Sequence, residues 1–240
     1  MDSKMKRIQI IDALRGLAVV LMVVHHLLYN LVFFLGAPET LFTNPVFDAL
    51  HYFFAGLFVF ISGISSRFSR GNIKRGLITF AIAMGVTIVT YLMEMPIWFG
   101  VLHMLGISML FFGLTKRLWD KIPKKLIPAM LIKLAVSLVI GLQLNLVIEN
   151  VILGNLLSVL GWPQPGFVSY DYFPVFPWIL VFLFGTWVGT YIADRKFPEW
   201  FYEAQVPLFP VLGRKALLIY VLHQPVLYVL VRGIGYLILR

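Results

Sequence analysis

Residues 11–35 read IDALRGLAVVLMVVHHLLYNLVFFL, and this stretch decides the fold class. After Arg15 it contains no further charged side chain. An α-helix rises about 1.5 Å per residue, so about 20 apolar residues cross the roughly 30 Å of bilayer hydrocarbon. The stretch therefore predicts a transmembrane helix. It follows a basic N-terminus, as the core of a signal peptide would, but its length and its interruption by Asp12 and Arg15 favour a retained span.

Six further apolar runs follow, separated by short polar segments. The composition is typical of a membrane protein, because 60% of the 240 residues are hydrophobic, 13% are charged, and the mean hydropathy is +0.89. A soluble domain of this length could not bury so much apolar surface. The sequence therefore predicts an all-α polytopic transmembrane helix bundle that forms a single domain over residues 1–240. Its spans, about seven in number, lie near residues 11–35, 47–66, 76–93, 97–115, 126–148, 172–193 and 214–238.

Basic residues occupy alternate gaps between these runs. The other gaps, near residues 36–46, 94–97 and 149–171, contain no Lys or Arg. Positively charged loops stay on the cytoplasmic side during insertion, so the N-terminus is predicted inside and the C-terminus outside, in an integral membrane protein such as one of the bacterial cytoplasmic membrane. The net charge of +9 then indicates anchoring to anionic lipids, not nucleic-acid binding. The basic gaps hold Lys4, Lys6 and Arg7; Arg67, Arg70, Lys74 and Arg75; Lys116, Arg117, Lys121, Lys124 and Lys125; and Arg195, Lys196, Arg214 and Lys215.

Two apolar segments are not expected to span. Residues 151–161 are about half the length a span needs, so they are predicted to lie on the outer surface or to dip partway into the bilayer. Residues 197–212 mix aromatic and acidic side chains and are typical of an inner interfacial segment. The chain contains no cysteine, which excludes disulfides, thiolate metal sites and a cysteine nucleophile.

Three histidines from three predicted spans fall near the bilayer midplane. At the helical rise, His26 and His223 lie about 16 and 12 Å from the inner edge, and His103 lies about 10 Å from the outer edge. Ionisable side chains at such depth are costly and mark functional sites. We therefore expect a shared site at His26 and His103, with His223 in support. Taken singly, each could instead be a neutral imidazole bonded to a neighbouring helix.

Polar neighbours extend this predicted site. Asn30 follows His26 by one helical turn and can fix its tautomer, whereas His25 points about 100° away. Asp48 and His51 are three residues apart at the outer start of the second span. A carboxylate that orients an imidazole in this way suits a general base, although an exposed ion pair would give the same spacing.

Asp171 lies beside Tyr170 at the outer entrance of the sixth span. It is either a carboxylate of the site or a helix N-cap within an aromatic belt. The three midplane histidines, His26, His103 and His223, could in principle bind a metal. However, no HExxH spacing or carboxylate within a turn accompanies them, so no metal is expected.

Candidate anion-binding residues lie at the predicted inner edge. Arg67, Arg70 and Arg75 form the densest basic cluster, and arginine forks suit phosphates. The positive-inside rule alone would produce the same charges. Asp12 and Arg15 are three residues apart on the first helix, which allows an ion pair.

Five motifs follow one another along nearly the whole chain. They are residues 7–18 (RIQIIDALRGLA) with Leu21, Met22 and His26, 58–65 (FVFISGIS), 99–106 (FGVLHMLG), 171–174 (DYFP) with Pro177 and Trp178, and 220–225 (YVLHQP). Together these motifs resemble the membrane acetyltransferase family typified by the catalytic domain of heparan-α-glucosaminide N-acetyltransferase, particularly its short bacterial relatives. The Asp-x-x-Arg-Gly element alone is shared with other membrane acyltransferases. The chain departs from the resemblance at Asn30, where an acidic residue is expected.

The resemblance implies an enzyme that takes an acyl group, expected to be acetyl, from cytoplasmic acetyl-CoA or another acyl-CoA. It delivers this group to a small-molecule or glycan acceptor, often a sugar amine or hydroxyl, at the far side of the membrane. The donor's phosphates would lie near Arg15 and the basic cluster, and His26 or His103 would act as general base or acyl carrier. Membrane lipids are the other expected partners, and the oligomeric state, including a homo-oligomer, stays open.

Two other functions remain compatible with the residues alone. A proton-coupled transporter or flippase could use the same intramembrane histidines as a proton relay. The chain could also be a non-catalytic partner in a membrane assembly.

Overall fold

The computed structural model describes residues 7–142 and 150–238. Within these ranges all regular secondary structure is helical, apart from one isolated bridge between Phe99 and Tyr172. The helices are α1 Gln9–Leu35, α2 Pro45–Phe68, α3 Asn72–Leu92, α4 Val101–Trp119, α5 Ile127–Leu142, α6 Val151–Leu160, α7 Val175–Ala193, α8 Glu199–Glu203, α9 Phe209–Arg214 and α10 Ala216–Ile238.

Six of these described helices are long and apolar enough to cross a membrane: α1, α2, α3, α4, α7 and α10. This confirms the predicted all-α polytopic bundle. The fifth predicted span coincides with α5, whose sixteen residues end at Leu142. Its remaining residues lie outside the described part of the chain, as do Lys4, Lys6 and Arg240. Helix α6, at ten residues, is too short to span, in agreement with the prediction.

The chain divides into two compact units, and the division falls inside α2. The first unit comprises Met1–Ile61 and Arg195–Arg240. In it α1 packs against α9 and α10. Gly16 makes the close approach of α1 to α9 possible, because a Cβ there would lie 2.1 Å from the carbonyl oxygen of Phe209. Gly213 faces α1 in the same way, since its Cβ would lie 1.8 Å from the carbonyl oxygen of Asp12.

The second unit comprises Ser62–Asp194. Here α3 packs along α4, and α4 and α5 pack on α7. Phe112 and Phe182 are fully buried and meet edge to face, with ring centroids 6.4 Å apart. An aromatic pair of this geometry stabilises a core beyond its buried area.

Helix α4 begins at Val101, four residues later than its predicted span. The preceding residues are extended because Phe99 pairs with Tyr172, and the N–H of Phe173 donates to the Phe99 carbonyl at 2.9 Å. Hydropathy cannot reveal this start, since the extended residues are as apolar as the helix that follows them.

Candidate functional site

A hydrogen-bonded group in the first unit joins α1 to α10. The side-chain amide nitrogen of Gln224 lies 3.2 Å from His26 Nδ1, and the Gln224 amide oxygen accepts from Asn30 Nδ2 at 3.2 Å. An amide NH₂ can only donate, so His26 Nδ1 accepts and the neutral ring carries its proton on Nε2. Asn30, which is buried, contacts Gln224 and not His26, so it orients the amide that sets the His26 tautomer, and a direct role of Asn30 at the ring stays a prediction.

His223 lies beside His26, with the ring centroids 4.9 Å apart. Its Nδ1 is 2.6 Å from the carbonyl oxygen of Tyr220, which can only accept, so Nδ1 carries the proton. Pro225, which lies inside α10, has no N–H to donate to the preceding turn. The other ring nitrogen, Nε2, is buried and has no hydrogen-bond partner among the described residues. His223 therefore presents a free lone pair, which is the state a general base needs.

A second face of α1, about 100° from that of His26, places His25 against α2. The rings of His25 and His51 lie 4.2 Å apart, and Phe42 covers His25 at 4.9 Å. His25 and His26 thus face different helices, as their 100° separation predicts. Asp48 is exposed one turn before His51. In the described part of the chain no three His, Cys, Asp or Glu side chains form a metal-binding group.

His103, in the second unit, uses both ring nitrogens in hydrogen bonds. The backbone N–H of Gly100 donates to Nδ1 at 3.1 Å, so the neutral ring carries its proton on Nε2. That nitrogen lies 3.1 Å from the Thr87 hydroxyl oxygen, and this hydroxyl donates to the Ile97 carbonyl at 2.6 Å. The ring thereby satisfies a backbone donor at the start of α4. Its convergence with His26 stays a prediction, because the two residues belong to different units.

Asp171 lies over the same end of α4. A Cβ on Gly100 would come within 2.6 Å of Asp171 Oδ2, so the carboxylate packs directly on this backbone. A helix N-terminus favours an anion. Next to it, burial raises the pKa of Tyr172 to about 12. The Tyr172 hydroxyl donates to the Ser158 carbonyl at 2.5 Å.

The Asp-x-x-Arg-Gly element forms a compact ion-pair cluster at the start of α1. Arg15 Nη1 lies 3.0 Å from Asp12 Oδ1, and Arg7 Nε lies 2.5 Å from Asp12 Oδ2. The Asp12 side chain is only 6% exposed, whereas that of Arg7 is 64% exposed. Removing both arginines would leave a buried carboxylate without a partner, which is costly. The predicted ion pair is thus present.

Arg67 lies in a pocket of the second unit, unlike the rest of its predicted cluster. Its side chain is 19% exposed, its Nη1 lies 2.5 Å from Asp120 Oδ1, and its Cβ packs on Gly189. Arg70 and Arg75 are exposed. The pocket encloses about 350 Å³, including space open to solvent. It is lined by Arg67, Phe112, Trp119, Asp120, Ile122, Lys124, Ile127, Thr186, Trp187 and Thr190.

Sequence reasoning missed three partners that the fold supplies. The motif at residues 220–225 contains Gln224 without assigning it a role, and no local pattern singles out Thr87 or Trp187. Asn and Gln side chains inside a predicted span are as informative as histidine, because they too need partners in the bilayer. That signal could have identified Gln224, whereas nothing in the local sequence distinguishes Thr87 or Trp187.

Comparison with known proteins provides independent information. The sequence model of one protein family, described as heparan-alpha-glucosaminide N-acetyltransferase, catalytic, matches residues 7–225. No curated protein and no solved structure matches the chain significantly. The family match spans all five motifs, and it agrees with the resemblance that those motifs carry. The chain belongs to the heparan-alpha-glucosaminide N-acetyltransferase catalytic-domain family.

Proposed function

We propose that this protein is a membrane acyltransferase that moves an acetyl group from cytoplasmic acetyl-CoA to the amine or hydroxyl of a small-molecule or glycan acceptor at the outer side. Family membership and six apolar helices support a membrane acetyltransferase. The observation that carries the finer proposal is the His26 and His223 pair, whose two rings are held in complementary states by Gln224 and by the Tyr220 carbonyl.

Acyl transfer requires a base that removes the acceptor's proton and a donor that stabilises the oxyanion, and the two rings suit these two roles. In the proposed step the acceptor's oxygen or nitrogen attacks the thioester carbonyl and gives its proton to His223 Nε2. The carbonyl oxygen becomes an oxyanion, which the N–H at His26 Nε2 stabilises. The carbon–sulfur bond then breaks, and the leaving thiolate takes the proton from His223 Nε2. An acyl-histidine intermediate on the same nitrogen is the variant of this step in which His223 attacks first.

The Arg67 pocket is the proposed site for the donor's phosphates or adenine. Arg67 and Lys124 supply positive charge, and Trp119 and Trp187 supply flat aromatic surfaces. Both cations are already paired, Arg67 with Asp120 and Lys124 with Asp194. A phosphate would therefore have to compete with exposed carboxylates, which fits a donor that must also be released. Arg15, Arg70 and Arg75 stay in the proposal as further cations of the inner side.

The overall reaction is tested with purified protein in lipid nanodiscs. We expect it to release free thiol from acetyl-CoA, and to do so faster with glucosamine as a probe acceptor. In cells that lack the protein, mass spectrometry should show the loss of an acetylated product. Binding of acetyl-CoA without any thiol release would contradict the enzyme. A proton-coupled transporter, which the imidazole rings also permit, would leave acetyl-CoA intact and move protons with a solute.

Replacing Arg67 by Gln is expected to weaken acyl-CoA binding by about 1.5–3 kcal/mol, because a charge-assisted contact to phosphate is lost. Titration calorimetry with a non-hydrolysable CoA analogue measures the effect. Lys121→Gln is the matched control, since Lys121 is an exposed cation of the same basic gap and does not line the pocket. Equal losses in Arg67→Gln and Lys121→Gln would indicate only a diffuse electrostatic attraction, and an unchanged affinity in both would exclude the pocket.

Topology is tested with single cysteines, because the chain contains none. In intact cells we expect a membrane-impermeant maleimide to label Ala37→Cys and Gln164→Cys. Ser69→Cys and Lys121→Cys should react only after the cells are opened, since their gaps carry the positive charge. Labelling of Ser69→Cys in intact cells would reverse the proposed orientation.

A further inference from the structure

Four of the five histidines of the chain form a continuous row of rings in the first unit. The ring centroids of His51 and His25 are 4.2 Å apart, those of His25 and His26 are 5.7 Å apart, and those of His26 and His223 are 4.9 Å apart. At such separations neighbouring ring nitrogens come within reach of a hydrogen bond when a ring rotates or when one water lies between them. His26 must rotate away from Gln224 to accept a proton, because Gln224 occupies its Nδ1. The row links α10 to α2 by way of α1.

The two ends of the row differ in a way that gives it a direction. At one end His223 is buried, and its Nε2 lone pair has no partner among the described residues. At the other end His51 lies one turn after Asp48, whose side chain is exposed near the first residue of α2. The row therefore begins at a buried base and ends at an exposed carboxylate. On the predicted topology this exposed end faces outward.

We propose that the row His223, His26, His25 and His51 is a proton relay that carries the acceptor's proton from the reaction to Asp48 and the outer solvent. The proposal rests on the proposed acyltransferase function. It assigns His25 and His51 a role in the reaction, although neither needs to touch the substrate. They are positioning and proton-carrying residues, and His223 is the group that meets the acceptor.

Proton balance explains why such a relay is needed for an amine acceptor. An amine is an ammonium ion at neutral pH and must lose one proton before its nitrogen can attack. Formation of the amide then breaks the thioester, and the departing thiolate takes up the second proton of the nitrogen. One proton per turnover is left over. When a hydroxyl is acetylated, its single proton ends on the thiol and none is left over. Water as acceptor releases one proton, because acetic acid ionises.

Two tyrosine rings of the described residues also lie against the row. Tyr52 on α2 lies against His51, with ring centroids 5.5 Å apart, and Tyr220 on α10 lies 5.6 Å from His223. Phe42, which cannot carry a proton, lies against the His25 ring. Imidazole is the side chain whose ordinary pKa allows it to gain and lose protons near neutrality. The path therefore runs through the four rings and not through the tyrosines.

The test replaces the two outer rings of the relay without removing their bulk. His25→Phe and His51→Phe are each expected to slow thiol release from acetyl-CoA with glucosamine by at least about tenfold in weak buffer, because proton transfer by a positioned side chain is lost. Added imidazole should restore most of the rate. Phe42→Leu is the matched control, since it alters the packing on His25 without removing an ionisable group, and its rate should equal that of the wild type. His25→Gln and His51→Gln repeat the test if either Phe variant fails to elute as a monodisperse species.

The outcomes separate the relay from the reaction it serves. An active wild type whose His25 and His51 variants match Phe42→Leu would overturn the relay alone. A loss of rate that imidazole does not restore would make the two rings structural and would overturn the relay as well. A wild type that releases no thiol from acetyl-CoA would overturn the proposed function, and with it the relay that depends on it. Rescue by imidazole in both variants supports the relay, because altered packing is not repaired by a soluble base.

Discussion

Replacing His223 by Ala is expected to slow acetyl transfer about 10²–10⁴-fold, which is the usual cost of losing a general acid or base. His223 holds its proton on Nδ1 against the Tyr220 carbonyl, and its Nε2 lone pair has no partner within residues 7–142 and 150–238. Acyl-CoA binding should persist, since the proposed donor pocket lies in the other unit. Single-turnover assays with radiolabelled acetyl-CoA separate the chemical step from binding.

Tyr228→Phe is the matched control for His223→Ala. Tyr228 lies on the same helix, and its ring meets Phe34 at 5.2 Å, a contact that phenylalanine preserves.

His26→Ala should also lose most of its activity, because the oxyanion donor is removed. If His223→Ala and His26→Ala both transfer acetyl at the wild-type rate, the pair is structural. The base would then be sought at His103 or at His51 with Asp48.

Gly16→Ala and Gly213→Ala are each expected to prevent stable packing of α1 on α9. The added methyl carbons would lie 2.1 Å and 1.8 Å from backbone carbonyl oxygens, and backbone cannot move aside as a flexible side chain can. Overpacking in a core typically costs about 1–3 kcal/mol, and we expect at least the upper value at these contacts. The melting temperature in detergent and the monodisperse fraction after solubilisation measure the loss.

Gly233→Ala provides the matched control in the same unit. Gly233 lies within α10, and a Cβ there meets no heavy atom within 4 Å. Alanine is the better helix former, so this change should be neutral or slightly stabilising. If Gly16→Ala were as stable as Gly233→Ala, the contact between α1 and α9 would not be as close as described, and the Asp-x-x-Arg-Gly element would need another explanation for its glycine.

The apolar runs predicted the spanning helices, six of which are present in the described part of the chain, and the five motifs indicated the family. A transmembrane helix forms its backbone hydrogen bonds within itself and needs about 20 apolar residues. It can therefore be recognised from its own sequence, without knowledge of the neighbouring helices. For the same reason the short helix at residues 151–160 was recognised as too short. Pairs within one helix turn were equally accessible, and the Asp12 and Arg15 ion pair is where its spacing predicts it.

Partners on different helices were decided only by the tertiary structure. Depth along a span placed His26 and His223 at similar levels, but depth does not say which faces of two helices meet. The contact between these rings depends on how α1 and α10 are rotated, which packing sets. The protonation state of each ring depends in turn on its partner, which is an amide for His26 and a backbone carbonyl for His223. A periodic pattern gives the direction of a side chain around its own helix, whereas hydrogen bonds between helices depend on positions of atoms that are about 200 residues apart in sequence.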